Sequence, residues 1–198
     1  DAGAPPDALP LTMTEAWILS RVQQVSREAA AHLDAYDFDQ AAHVLYQFIW
    51  HEFCDWYLEL IKPQLYDAAA PEARGHCQGV LLKVLSAILR LLHPFMPFIT
   101  EEVWQKLPGA SGSIMAAPYP QADAALLNPG AEAELTLIMD AVTAIRNLRG
   151  EMNVPPASQV EILFYSQEAA SLDVLNRHQQ AVTLLARTQA PRFNPEGA

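Results

Sequence analysis

Apolar positions along the chain recur mostly every three or four residues, the spacing of a buried helix face. Thr12 and Glu15 stand three apart, as in a capping box, and Ile18, Val22, Val25, Ala29 and Leu33 follow as a stripe. This predicts a first helix over about 13–35. Asp37 and Gln40 repeat the start signal. Ala41, Val44, Leu45, Phe48, Ile49, Phe53, Trp56, Tyr57 and Leu60 then give a wide apolar face, with Trp56 and Tyr57 expected to be buried. Pro63 should end this second helix, because proline disfavours helical backbone in the residue before it. Pro71 suits the first turn of a third helix, whose buried side would be Val80, Leu81, Val84, Leu85, Ile88, Leu91 and Leu92. His93–Pro94 should break it, with the His93 ring serving structure at the bend, and Pro97 should start a short helix.

Further on, Pro108, Gly109, Gly112, Pro118 and Pro120 mark a long irregular loop. Asn128–Pro129 opens another helix with Leu135, Ile138, Met139, Val142, Ile145 and Leu148 on one face, and Gly150 offers an end. After Pro155 and Pro156 the pattern changes. VEILFY at 160–165 reads as a strand, about 167–187 as a helix with Leu172, Leu175, Val182 and Leu185, and the tail TQAPRFNPEGA as the opening of a second strand. The first residues, with Pro5, Pro6 and Pro10, read as a linker, and a chain beginning without Met in a Pro/Ala stretch reads as a piece of something longer.

With 198 residues, 51% of them hydrophobic and 18% charged, the chain is long and apolar enough to build a core. Twelve basic against 23 acidic residues leave a net charge of −11, which excludes a globally basic nucleic-acid module but not a local basic patch. No apolar run reaches the roughly 18–20 residues that span a bilayer, and the start has neither the basic nor the apolar region of a signal peptide. Two cysteines give no disulfide framework.

Candidate chemistry is sparse. His51 and Glu52 begin a zincin-like pattern, but Asp55 stands where the second His is needed. Cys54 and Cys77 are not a C-x-x-C pair and read as buried, inert thiols. Gly-rich phosphate loops and nucleophile elbows are absent, and Ser86 and Ser111 have no visible base. Basic residues fall on the first helix (Arg21, Arg27), on or near the third (Arg74, Lys83, Arg90) and at the end of the later helix (Arg146, Arg149). Cations at a helix C-terminus are explained by the macrodipole, at about 0.3–1 kcal/mol each. The alternative for Arg146 and Arg149 is contact with RNA phosphate, with Arg21 and Lys62 as further candidates. The aromatics Tyr46, Phe48, Trp50, Phe53, Trp56 and Tyr57 read as core at this spacing rather than as a stacking platform.

Five segments carry a family resemblance. FDQAAHVLYQFIWHEFCDWYLELIKP at 38–63 closely resembles the signature helix of the valyl-tRNA synthetases, within the class I synthetases. EAWILSRV at 15–22, ILRLLHPFMPFITEEVWQKL at 88–107, IMAAPYP at 114–120 and AIRNLRGEMNVPPA at 144–157 agree in order and spacing. DWYLELIKP separates the chain from the isoleucyl and leucyl enzymes, the nearest alternatives; a helical docking module is the other. The resemblance covers about 12–190. It implies a mainly α fold: an antiparallel helix bundle that binds the tRNA anticodon, over 12–150 after a linker at 1–11. It also implies a partial α/β connector over 151–198 leading to a coiled coil. The parent would be a cytoplasmic ligase that joins valine to its tRNA with ATP and edits misloaded threonine. Its partners would be valine-accepting tRNA and its own catalytic and coiled-coil domains, with no membrane. The ATP signatures HIGH and KMSKS, the editing domain and the NKLWNAxRF-type helix do not occur in this chain. No catalytic residue, cofactor or metal is therefore expected here, ATP belonging to the parent's catalytic domain.

Overall fold

The computed structural model describes residues 9–155 and 157–194, so Pro5, Pro6, Pro156 and the end of the tail lie outside the described residues. The fold is mainly α with one small parallel sheet. It divides into two compact units, the first running to Pro129 and the second from Gly130.

The first unit opens with α1, Met13–Asp34. The capping box is present: the Glu15 N–H donates to Thr12 Oγ1 at 3.3 Å, and the Thr12 N–H to Glu15 Oε2 at 2.9 Å. Ile18, Val22, Val25 and Ala29 are buried as the stripe predicts, and Leu33 is half-buried. The second predicted helix is one continuous rod in three parts. Phe38–Tyr46 (α2) is α-helical, Gln47–Tyr57 is wound as a π-helix, and Leu58–Tyr66 (α3) is α-helical again. Asp37 takes the N-cap place but makes no side-chain cap bond. The Leu58 N–H reaches back five residues to Phe53 O, as π winding requires. The buried positions follow the winding: Ala41, Leu45, Phe48, Phe53, Tyr57 and Ile61, with a step of five at the π segment. The aromatic expectation is corrected accordingly. Phe48, Phe53 and Tyr57 are core, Trp56 is half-buried, and Tyr46 and Trp50 are each 54% exposed.

The expected stop at Pro63 is also corrected, for α3 carries Pro63 and ends only at Tyr66. Pro63 is exposed, so the carbonyl that loses its donor lies within reach of water, and one more turn survives. Helix α4, Pro71–Leu92, has Pro71 in its first turn and buries Cys77, Val80, Val84, Ala87, Ile88, Leu89 and Leu91. Among the described residues it is the one helix long and apolar enough to cross a membrane by length and composition alone. The predicted break follows, and α5 runs Pro97–Trp104. Thr100, 1% exposed, has Oγ1 2.8 Å from Met96 O and 2.7 Å from His93 Nδ1, so a hydrogen bond between His93 and Thr100 fastens the bend. The long loop holds two short 3₁₀ turns, Ile114–Ala116 and Ala124–Leu126. It is tied to α1 where Gln23 Oε1 accepts from the Asp123 N–H and Ser20 Oγ from the Asn128 N–H.

In the second unit α6, Pro129–Glu151, runs one residue past Gly150 and buries Leu135, Ile138, Val142 and Ile145, while Leu148 is exposed. The strand expected over 160–165 is realised as β1, Leu163–Tyr165, because only these residues find a continuous partner in β2, Arg192–Asn194; Val160 forms a single bridge to Thr188. The Phe164 and Phe193 rings stack at 5.6 Å across the parallel pair. The single helix expected over 167–187 is broken into α7, Ala169–Arg177, and α8, Gln179–Ala186. At the break, His178 Nε2 lies 3.0 Å from Glu134 Oε2, which also pairs with Arg177. This tertiary bond holds His178 out of helical geometry, at φ −109° and ψ 23°.

Candidate nucleic-acid interface

The four candidate phosphate contacts, Arg21, Lys62, Arg146 and Arg149, each have an intramolecular partner, and so does Arg90. In the first unit, Arg21 forms a two-pronged ion pair with Glu52, 2.6 Å at Nε and 2.8 Å at Nη2, and also bonds Gln24. Lys62, exposed on α3, pairs with Glu59 one turn back. Arg90 donates to Ser86 O and Pro118 O, and burial lowers its pKa. Arg27, Arg74 and Lys83 are exposed.

In the second unit Arg146 and Arg149 share one face of α6 and act on the end of α8. Arg146 donates through Nε and Nη2 to Leu185 O, at 3.2 and 2.9 Å. Arg149 donates to Arg187 O at 3.1 Å, Pro155 O at 3.1 Å and Ser158 O at 2.8 Å. Leu185 O and Arg187 O lie at the end of α8, where helix carbonyls lack backbone donors, and the arginines supply them. Pro155 O and Ser158 O lie in the turn after α6, and Pro155 O also accepts from the Ser158 N–H at 3.0 Å. Arg187, just past α8, has left-handed backbone at φ 53° and an exposed side chain. Together the three arginines line a cleft of about 390 Å³. Periodicity gave no signal for Arg187, whose place at the cleft comes from the left-handed turn that ends α8.

A second surface lies in the first unit. Tyr46 and Trp50 stack one turn apart, rings 6.4 Å apart and within 3° of parallel, and His51 meets Tyr46 edge-on at 5.9 Å. They border an apolar cleft of about 350 Å³ completed by Ala42, Ile49, Leu92 and Phe95. The sequence counts these two rings as core, whereas the structure places both on the outer face of the rod, 54% exposed.

Other candidates carry no site. His51 bonds Asp55 at 3.4 Å on an exposed face. Among the described residues, no group of three or more His, Cys, Asp or Glu side chains is placed to hold a metal. Cys77 is buried as expected, whereas Cys54 is half-buried. Burial raises both thiol pKa values, helped by Asp55 at Cys54 and by Glu15 at Cys77, which keeps them protonated and weakly nucleophilic.

Comparison with known proteins adds what this geometry alone does not. Residues 15–164 match the family model described as the anticodon-binding domain of tRNA ligase. The valine–tRNA ligase of Carboxydothermus hydrogenoformans is 43% identical over 186 residues, covering 94% of this chain and 21% of that protein. The valine–tRNA ligase of Geobacter sulfurreducens is 46% identical over 186 residues, 92% of this chain and 21% of that protein. That of Thermotoga maritima is 44% identical over 165 residues, 83% of this chain and 19% of that protein. The chain therefore spans about a fifth of the length of the curated relatives it matches.

Proposed function

The chain belongs to the anticodon-binding domain family of tRNA ligases, and from that premise we propose that it is the tRNA-recognising part of a valine–tRNA ligase. The observation that carries this reading is the 43–46% identity to such ligases over more than nine-tenths of the chain. In the whole protein, valine would be joined to its tRNA with ATP in a separate catalytic domain. This part would hold the anticodon stem and loop, with no cofactor of its own.

The physics of the two units fits such a role. Anticodon bases are unpaired, so they can be splayed out, stacked on aromatic rings and read along their edges. The outer faces of Tyr46 and Trp50 offer such a platform, and a stacked base is worth about 1–3 kcal/mol. Arg21 and Lys62 would contact phosphates by exchanging carboxylate for phosphate as partner. Arg146 and Arg149 would do so with the N–H groups their carbonyls leave over.

Electrophoretic binding of a valine-accepting tRNA, compared with the same tRNA carrying a changed anticodon, tests the reading. The cognate tRNA should bind more tightly. Trp50→Ala should weaken it about 5- to 160-fold if one base stacks there. Equal affinity for the two tRNAs would overturn the anticodon reading. Unchanged affinity in Trp50→Ala would remove the platform alone.

A further inference from the structure

The arginine cleft of the second unit has more positive charge than its structural duties consume. The hydrogen-bond partners of Arg149 among the described residues are three neutral carbonyls. Those bonds fix the guanidinium while leaving its charge intact and two of its five N–H groups unused among the described residues. Arg187 has no side-chain hydrogen bond or ion pair among the described residues, and its side chain is exposed beside the cleft it lines. Arg146 stands on the same wall. Against these stand two helix C-termini, of α6 and α8, each equivalent to about half a negative charge. Leaving Arg146 out entirely, two full positive charges still exceed them. Glu151 follows Arg149 closely in sequence but does not line the cleft. The remaining lining groups, Gly150, Val154, Leu185 and Ala186, are small or apolar and bring no competing carboxylate. A protein of net charge −11 thus keeps a concave spot where the Arg149 charge is held in place before any ligand arrives, with the Arg187 side chain beside it.

We propose that Arg149 and Arg187, with Arg146 beside them, form a phosphate-binding cleft that receives a backbone phosphate of bound RNA. The chemistry required is that of a tetrahedral oxyanion accepting charge-assisted hydrogen bonds from converging guanidinium groups. The RNA source rests on the tRNA-binding reading above. The role is one of positioning, because a phosphate contact carries no base information. Arg187 is the residue that separates this role from helix capping, since its side chain caps nothing among the described residues.

The test uses the whole 198-residue chain, labelled with ¹⁵N. Inorganic phosphate should shift the guanidinium Nε resonances of Arg149 and Arg187, and sodium chloride at equal ionic strength should not. Arg187→Gln should abolish the phosphate shift at Arg149 while leaving the melting temperature unchanged, whereas Arg187→Lys should keep part of it. In tRNA binding, Arg187→Gln should lower the magnitude of the salt slope by about 0.7–0.9, equally for the cognate and the anticodon-changed tRNA. An unchanged slope in Arg187→Gln, with wild-type binding intact, would overturn the RNA contact. Equal shifts in phosphate and chloride would overturn the site. Phosphate-specific shifts in a chain that binds neither tRNA would assign the cleft to free phosphate and overturn the tRNA-binding reading instead.

Discussion

Tyr57 is fully buried, yet its hydroxyl has no hydrogen-bond partner among the described residues. Burial, with Cys77 and Glu15 nearby, pushes the phenol pKa up, so the group stays neutral. A buried, unsatisfied hydroxyl costs about 1–3 kcal/mol, whereas the ring contributes packing. Tyr57→Phe keeps the ring and removes only the costly atom, so its urea midpoint should equal or exceed that of the wild type. Tyr57→Ala removes both and should lose about 3–5 kcal/mol. A clearly lower midpoint for Tyr57→Phe would show that the hydroxyl is satisfied after all. Trp56, half-buried, should lose less than Tyr57 on truncation to alanine. The sequence treated these two adjacent aromatics alike. Hydropathy marks a residue as apolar but does not tell how far round the helix its neighbour turns, and that angle separates Tyr57 from Trp56 and core Phe48 from exposed Trp50.

Elements were legible in the sequence wherever a local signal decides them. Thr12 and Glu15 mark the start of α1 because both partners of the cap lie within four residues, and Thr12→Ala should cost about 0.5–2 kcal/mol, measured as a drop in urea stability. Pro71, Pro97 and Pro129 each open a helix because a first-turn residue needs no N–H. The errors fall where the chain departs from a local rule. The π winding of Gln47–Tyr57 adds a residue to the repeat, a step visible in the sequence only as the interval of five from Phe48 to Phe53. The break between α7 and α8 is set by Glu134, 44 residues away from His178, and no window around 178 contains it. At Pro63 the helix survives a proline instead of stopping. Pro63→Ala restores an N–H in the last turns of α3 and should raise the stability measured by urea unfolding, by no more than the ~3 kcal/mol that an interior proline costs. A fall would mean that the proline stabilises this helix end by restricting the unfolded chain.

At the scale of the whole molecule the dominant number is the net charge of −11, which opposes any polyanion at long range. The sequence alone showed this much. It also placed Arg146 and Arg149 on one helix face, but not their carbonyl partners or Arg187, because the cleft is closed by the turn that follows α8, nearly 40 residues on. Recognition must therefore rest on a few local contacts of two kinds. Phosphate contacts release counterions, and their number sets how steeply affinity falls with salt, by about 0.7 per contact on single-stranded RNA. Contacts with unpaired bases, such as the proposed stacking on Tyr46 and Trp50, would release few ions and supply the discrimination. If the two kinds sit on different residues, salt should weaken the cognate and the anticodon-changed tRNA by the same factor. Plots of log affinity against log salt for the two RNAs should be parallel lines, offset by a constant anticodon term. Trp50→Ala should narrow that offset without changing either slope, and Arg187→Gln should flatten both slopes without changing the offset. Lines that converge as salt rises would show that anticodon discrimination is itself carried by charged side chains, and the division of labour between the aromatic platform and the arginine cleft would then be wrong.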